Sequence, residues 1–374
     1  MVTAHEFRPF LTDGDGADLI HTILIMAGGT GGHVFPGLAV AEYLKQAGWR
    51  VVWLGTEGGM ETRLVPRQGL DLQIIRFSGL RGKGFATWLT LPLRLLLAFW
   101  QSAGVILSVR PDVVLGMGGY PAFPGGMMAS LLGKPLLIHE QNSIPGLVNK
   151  ILAMIADRVL LGFPGAIREG RKVIFSGNPV RQEITEVEAP EKRYGTREGR
   201  LRLLVIGGSL GAHALNTVVP QALRLIPERD RPVITHQTGL RHLEAVRKSY
   251  AEMEVEGDLL PFIENMAARY AECDLVVCRA GALTIAELTN AGVASVLVPF
   301  PYAVDDHQTS NAKFLSDRNA AVLVQQQALT PQYLAKLLTA FTREQLLEMA
   351  IHARRLAKPD STRLVADACM EMTK

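Results

Sequence analysis

The stretch Leu275-Val276-Val277-Cys278-Arg279-Ala280-Gly281-Ala282-Leu283-Thr284-Ile285-Ala286-Glu287 decides the fold. Leu275 to Arg279 reads as a buried strand, because it is a short apolar run with turn residues behind it. Ala280-Gly281 is the turn, and from Ala282 the spacing turns helical. The first turn of a helix carries unpaired backbone N–H groups and a partial positive charge. A diphosphate can dock there, with Thr284 adding a hydroxyl. Glu287, one turn in, can accept from a pair of ribose hydroxyls. The competing reading is an ordinary strand–helix corner with an exposed glutamate.

The same unit occurs upstream. Asp112 to Gly116 is a strand, Gly118-Gly119-Tyr120 a turn, and a small-residue helix runs to Leu132 before the strand Leu136 to His139. Each half also opens on a strand and a glycine loop. Thr22 to Met26 leads into Gly28-Gly29-Thr30-Gly31-Gly32-His33, and Leu201 to Ile206 leads into Gly207-Gly208-Ser209-Leu210-Gly211. A helix to Ala47 and a strand from Arg50 to Leu54 follow the first loop. This pattern predicts an α/β fold of two doubly wound, Rossmann-like domains separated by a cleft. Ligands in such sheets bind beyond the carboxyl ends of the strands, so the glycine loops should converge on that cleft. The expected boundaries are a tail over 1–19, a first domain over 20–181 and a second over 182–356. Residues 182–200 read as a linker, and 357–374 as a helix packing back on the first domain.

Other readings fall away on spacing and composition. Strand two ends in Leu54-Gly55-Thr56, and Glu57 is late for the acid of a dinucleotide site. Gly82-Lys83-Gly84 lacks the Ser/Thr of a Walker loop. The 374 residues suit two domains, and a formal net charge of +3 is too mild to imply nucleic acid as a partner. Cys273, Cys278 and Cys369 have no metal spacing and fit a reducing cytoplasm. Charged residues precede any apolar run, so no secretory leader is expected. The most apolar region, Leu89 to Val109, has its longest uncharged run from Leu95, short of the ~20 residues of a membrane span. Asp13-Gly14-Asp15 precedes the first strand and fails as a calcium loop at Ala17, Asp18 and Leu24. Asp305-Asp306-His307 hints at a metal, but Gln308 and Asn311 one turn on fit better as hydroxyl-binding amides. No metal site and no protein-bound cofactor are expected; stimulation by a free divalent ion leaves no mark in the sequence.

The Ser209 loop, Thr284 and Arg279 are candidate anion contacts, with Arg181 at the hinge. Opposite them stands His33, which could simply cap its helix. If a hydroxyl is to displace a diphosphate, it needs a base, and His titrates in the right range. Such a base contributes roughly 10²–10⁴-fold. Preorganised donors on the departing charge contribute about 3–4 kcal/mol each.

Six motifs then stand in order: Gly28-Gly29-Thr30-Gly31-Gly32-His33, Gly116-Met117-Gly118-Gly119-Tyr120, His139-Glu140-Gln141-Asn142, Gly177-Asn178-Pro179-Val180-Arg181, Gly207-Gly208-Ser209 and Gly281-Ala282-Leu283-Thr284. Each is weak alone. As an ordered set, running from about Thr22 to the C-terminus, they resemble glycosyltransferase family 28, the lipid-linked GlcNAc transferases of peptidoglycan synthesis. The resemblance implies a GT-B fold and an inverting transfer of GlcNAc from UDP-GlcNAc to the C4 hydroxyl of MurNAc on lipid I, giving lipid II and UDP. It implies a peripheral enzyme on the cytoplasmic face of the inner membrane. The implied partners are UDP-GlcNAc, lipid I, an anionic membrane surface, and other cell-wall synthesis and division proteins.

Carried over by motif, Arg181, Ser209, Ile263, Met266, Ala282, Leu283, Thr284, Ile285, Ala286, Glu287, Gln308 and Asn311 would serve the donor. The Ile263 backbone and Arg181 would hold uracil, Glu287 ribose, Ser209 and Thr284 phosphates, and Gln308 the sugar. Thr30, Gly31 and Gly32 count with these substrate-binding positions and also line the acceptor side with Tyr120 and Asn142. His33 would be the base. The sequence departs from the family at Leu210, usually Gln, and Ala280, usually Ser, both beside the donor phosphates. A membrane-docking surface is expected around Arg81, Lys83, Phe85, Trp88 and Leu89, continuing through Leu93, Leu96 and Trp100. The competing reading there is a core helix.

Overall fold

The computed structural model describes residues 20–77, 90–208 and 211–373. The tail over 1–19, Ser209, Leu210, and Arg81, Lys83, Phe85, Trp88 and Leu89 lie outside the described residues. The chain forms two sheets. The first has seven strands in the order β3-β2-β1-β4-β5-β6-β7: Thr22–Ala27, Arg50–Thr56, Asp71–Ile75, Val113–Gly118, Leu136–Glu140, Arg158–Leu161 and Val173–Phe175 for β1 to β7. The second has six, ordered β10-β9-β8-β11-β12-β13: Arg202–Ile206, Val233–Gln237, Asp258–Leu260, Leu275–Cys278, Ser295–Leu297 and Val322–Leu323 for β8 to β13. Every pairing is parallel. Helices cover both faces, so central strands such as β1 and β4 are buried along their whole length. That double burial is why they read as unbroken apolar runs.

In both sheets the strand order reverses between the first strand and the fourth. The crevice at that point is where such sheets take ligands. Helix α1 (Gly31–Gln46) leaves β1 there, and the helix Ala282–Ala291 leaves β11 at the matching place in the second sheet. The two helices touch across the cleft.

The segment 182–200 is not a linker. It holds the helices Gln182–Thr185 and Pro190–Gly195 and packs into the second domain. The charges of a linker would be solvated, yet the guanidinium of Arg193 is buried and donates to the carbonyls of Glu188, Tyr270, Ala291 and Gly292. Arg197 pairs with the buried Asp274 at 2.7 Å. The helix Ser361–Glu371 packs on α1, placing Val365, Ala366 and Cys369 in the core of the first sheet. Ser361 and Thr362 donate to the hinge carbonyls of Asn178 and Val180 (2.7 and 3.1 Å).

The apolar region before β4 forms α3 (Leu91–Val109). Arg94 falls in its first turn, so the helix outruns the uncharged stretch. By length and composition it could cross a membrane, but Ala98, Ser102 and Ile106 form a buried stripe against the sheet. Its outer face, with Leu93, Leu96 and Trp100, is exposed.

Candidate functional site

Helix α1 begins at Thr30, which offers no side-chain cap, and carries no acid in its first turn. The helix Ala282–Ala291 begins the same way at Gly281. Two uncapped helix starts, each with free N–H groups, therefore meet at one cleft, and each suits an anion. Thr30 is exposed, and Gly31, Gly32, Leu283 and Thr284 are half-buried at these two ends. Ala282 is buried beside them. Ile285 is packed in the core and Ala286 lines a crevice behind the hinge, so neither side chain faces the donor corner. The helical rotation turns them inward.

His33 stands in the first turn of α1 with its ring against Gly118 of β4. Nδ1 is buried without a hydrogen-bond partner. Burial holds its pKa below the ordinary imidazole value and His307 adds to this, while the Gly28 carbonyl and Glu61 oppose it. The ring is thus a neutral base near neutral pH. His307, overlooked in the sequence except as a metal hint, faces it from the second domain, its Nδ1 bonded to the Val304 carbonyl at 2.7 Å. Tyr120, next to Gly119, is largely exposed at the same strand end.

Glu287 is buried, not exposed. It accepts from the Tyr270 hydroxyl (3.0 Å) and faces Arg181 at 3.7 Å. Burial raises its pKa, and Arg181 and Tyr270 oppose the rise. Arg181 also donates to the Glu264 carbonyl (3.2 Å), next to Ile263. Ile263 and Met266 are buried at the start of the helix Met266–Glu272. These contacts gather Arg181, Ile263, Met266 and Glu287 into one wall.

Two expectations change, at Arg279 and Asn311, and the Gln308 one is refined. Arg279 is not free for an anion: it donates to the Val298 and Pro299 carbonyls and to Gln326. Gln308 Oε1 accepts from the Phe300 N–H at 2.9 Å, leaving its amide N–H groups to face outward ligands. Asn311 is fully buried and committed. It accepts from the Ser143 N–H and hydroxyl (2.9 and 2.8 Å) and donates to Asn142 Oδ1 and the Ala280 carbonyl (both 3.2 Å). In this arrangement it joins the domains, with Asn142 of the acceptor side as partner. At Ala280, where the family usually has Ser, the backbone carbonyl is the group in use.

The strand end His139-Glu140-Gln141-Asn142 is scaffold. His139 Nε2 donates to the Gly177 carbonyl (2.9 Å), and burial pushes its pKa down to about 4. Glu140 accepts from Asn142, Gly146 and Asn149, which fixes the loop carrying Asn142. Glu140 was quoted in the sequence motif without a role. Among the described residues, no group of three or more His, Cys, Asp or Glu could hold a metal.

Comparison with known proteins bears on what this cleft does. Residues 23–161 match the glycosyltransferase family 28 N-terminal domain, and 202–365 match its C-terminal domain. A Nitrosospira multiformis protein is 70% identical over 94% of this chain and 99% of its own. Its name is UDP-N-acetylglucosamine–N-acetylmuramyl-(pentapeptide) pyrophosphoryl-undecaprenol N-acetylglucosamine transferase. A Nitrosomonas europaea protein of the same name is 60% identical over 94% of this chain and 98% of its own. The crystal structure of Acinetobacter baumannii MurG superposes with a TM-score of 0.80 at 41% identity, covering 94% of this chain and 99% of that one.

Proposed function

The chain belongs to glycosyltransferase family 28 and has its GT-B fold, and from that premise we propose how its cleft works. The enzyme is a hexosyltransferase that moves GlcNAc from UDP-GlcNAc to the MurNAc of lipid I, forming lipid II. High identity over nearly the whole chain favours this over an epimerase or a non-catalytic scaffold on the same fold. The observation that carries the mechanism is the pair of uncapped helix starts, on helices that touch across the cleft, beside a half-buried, neutral imidazole.

UDP sits on the second domain. Its diphosphate lies at Ala282, Leu283 and Thr284, where N–H groups meet charge that grows as the glycosidic bond breaks. Glu287 receives the ribose hydroxyls, and the wall of Ile263, Met266 and Arg181 takes the uracil. Gln308 reaches the sugar. The N–H groups of Gly31 and Gly32 meet the acceptor's diphosphate. Nitrogen of the His33 ring takes the proton of the C4 hydroxyl as its oxygen attacks the sugar's anomeric carbon and UDP leaves with the bonding pair. Backbone donors, rather than a protein-bound cofactor, carry the charge in this reading. The test is transfer of radiolabelled GlcNAc with and without a lipid I analogue. Acceptor-dependent label in the lipid supports it; UDP release without acceptor, at the same rate, rejects it.

The acceptor's lipid calls for a docking surface, here on the cytoplasmic face of the inner membrane. Exposed Leu93, Leu96 and Trp100 on α3 adjoin exposed Leu131, Leu147 and Met154 on two neighbouring helices over the same sheet face. Arg94 and Lys150 lie among them. Apolar insertion yields ~25 cal/mol per Å² and each nearby cation roughly 1 kcal/mol against anionic lipid. Leu96→Glu with Trp100→Glu should reduce sedimentation with anionic vesicles about tenfold or more; unchanged binding rejects this surface.

A further inference from the structure

Beneath the first glycine loop lies a carboxylate that the reaction described above leaves unused. Glu61, the first residue of α2 (Glu61–Arg67), is fully buried. Its Oε1 accepts from the backbone N–H and the hydroxyl of Thr56 (3.0 and 3.1 Å), and its Oε2 accepts from the Gly29 N–H (3.2 Å). Among the described residues no Lys or Arg is bonded to it. The backbone around it is cut to fit. A Cβ at Gly28 would lie 2.6 Å from Oε1, one at Gly55 would lie 2.7 Å from Cγ, and one at Gly59 would overlap the carboxylate. A buried carboxylate without a cation is disfavoured unless its oxygens are bonded. Three glycines make room for this one, and three donors hold it.

The Gly29 N–H and the Gly28 carbonyl belong to one peptide group. The N–H points at Glu61. The carbonyl lies beside the His33 ring without closing a hydrogen bond to its buried Nδ1, and Gly118 packs against the ring. Gly119, left-handed at φ 81°, packs directly on that carbonyl, where a Cβ would overlap it. We infer that Glu61 is a positioning residue, which acts through the Gly28–Gly29 peptide to fix the carbonyl that orients His33 and to lend the ring basicity. A carboxylate bonded to a peptide N–H polarises that peptide and makes its carbonyl a stronger acceptor. A carbonyl dipole held beside an imidazole favours its protonated form. The charged and titratable groups facing His33 are Glu61 of α2, which favours the protonated ring, His307, which disfavours it, and His139 of β5, whose own protonation His33 disfavours. The inference rests on the reading of His33 as base.

Glu61→Gln keeps the volume and removes the charge. It should lower kcat roughly 10- to 100-fold and leave KM for UDP-GlcNAc within about twofold. The acid limb of the pH–rate profile should move down by about one pH unit, because a ring that loses a neighbouring negative charge sheds its proton at lower pH. Thr56→Val removes one donor, leaves more charge on Oε2, and should move the limb the opposite way. NMR titration of the His33 ring in each protein reads the same two directions without turnover, so it decides the role of Glu61 even if transfer to lipid I fails. Thermal unfolding followed by circular dichroism reports whether each variant is folded. If Glu61→Gln does not fold, the direction seen in Thr56→Val decides. A ring titration and an acid limb that stay put in the folded variants overturn the proposal, whatever happens to the rate.

Discussion

Replacing His33 by alanine should lower turnover by about 10²–10⁴-fold while UDP affinity stays within about twofold. The split follows from the architecture. His33 belongs to the first domain, whereas the wall that would take UDP, with Glu287, Ile263 and Thr284, belongs to the second. Burial keeps the ring neutral below the usual imidazole range, so the acid limb of the wild-type profile should fall below pH 6.5. Steady-state transfer rates and UDP calorimetry on the same preparation check both halves. Full activity in the variant would remove His33 as base, and lost UDP binding would make it a structural residue instead.

The second large effect is expected at Glu287. Its carboxylate is already held by Tyr270 and faced by Arg181, so it can receive ribose hydroxyls without reorganising. A hydrogen bond to a charged group contributes about 1.5–3 kcal/mol. Glu287→Ala should therefore weaken UDP binding roughly 10- to 150-fold, and should also lower stability by about 1–3 kcal/mol, because the buried Tyr270 hydroxyl loses its acceptor. Burial raises the carboxyl's pKa, so the protonated form, which accepts poorly, sets in at higher pH than for an exposed glutamate. UDP affinity should fall on acidification accordingly. Unaltered affinity in the variant by calorimetry would contradict the ribose role.

The parallel sheets were legible because central strands buried on both faces must be apolar throughout, as Ile23 to Met26 and Val113 to Leu115 are. The glycine loops were legible because each follows such a strand. What stayed hidden depends on groups far apart in the chain. Asn311 meets Asn142 and Ser143 from 168 or more residues away, and nothing local distinguishes it from an amide waiting for a sugar. Arg193 looked like one more surface charge until the carbonyls at the end of the helix Ala282–Ala291 gathered around it. Glu61 follows Thr56-Glu57-Gly58-Gly59-Met60, a segment with no apolar period, so nothing local marks it as buried. The donors that bury it are Thr56, close by, and Gly29, 32 residues upstream.

The return of the helix Ser361–Glu371 to α1 has a consequence for biosynthesis. The first sheet emerges from the ribosome ahead of the second domain, yet the side chains of Val365, Ala366 and Cys369 that complete its interior leave the exit tunnel only after that domain. Vectorial, one-domain-at-a-time maturation is therefore closed to this polypeptide. The nascent first half must wait with an apolar furrow along α1 uncovered, and a fragment ending before residue 357 should be chaperone-dependent and prone to aggregate.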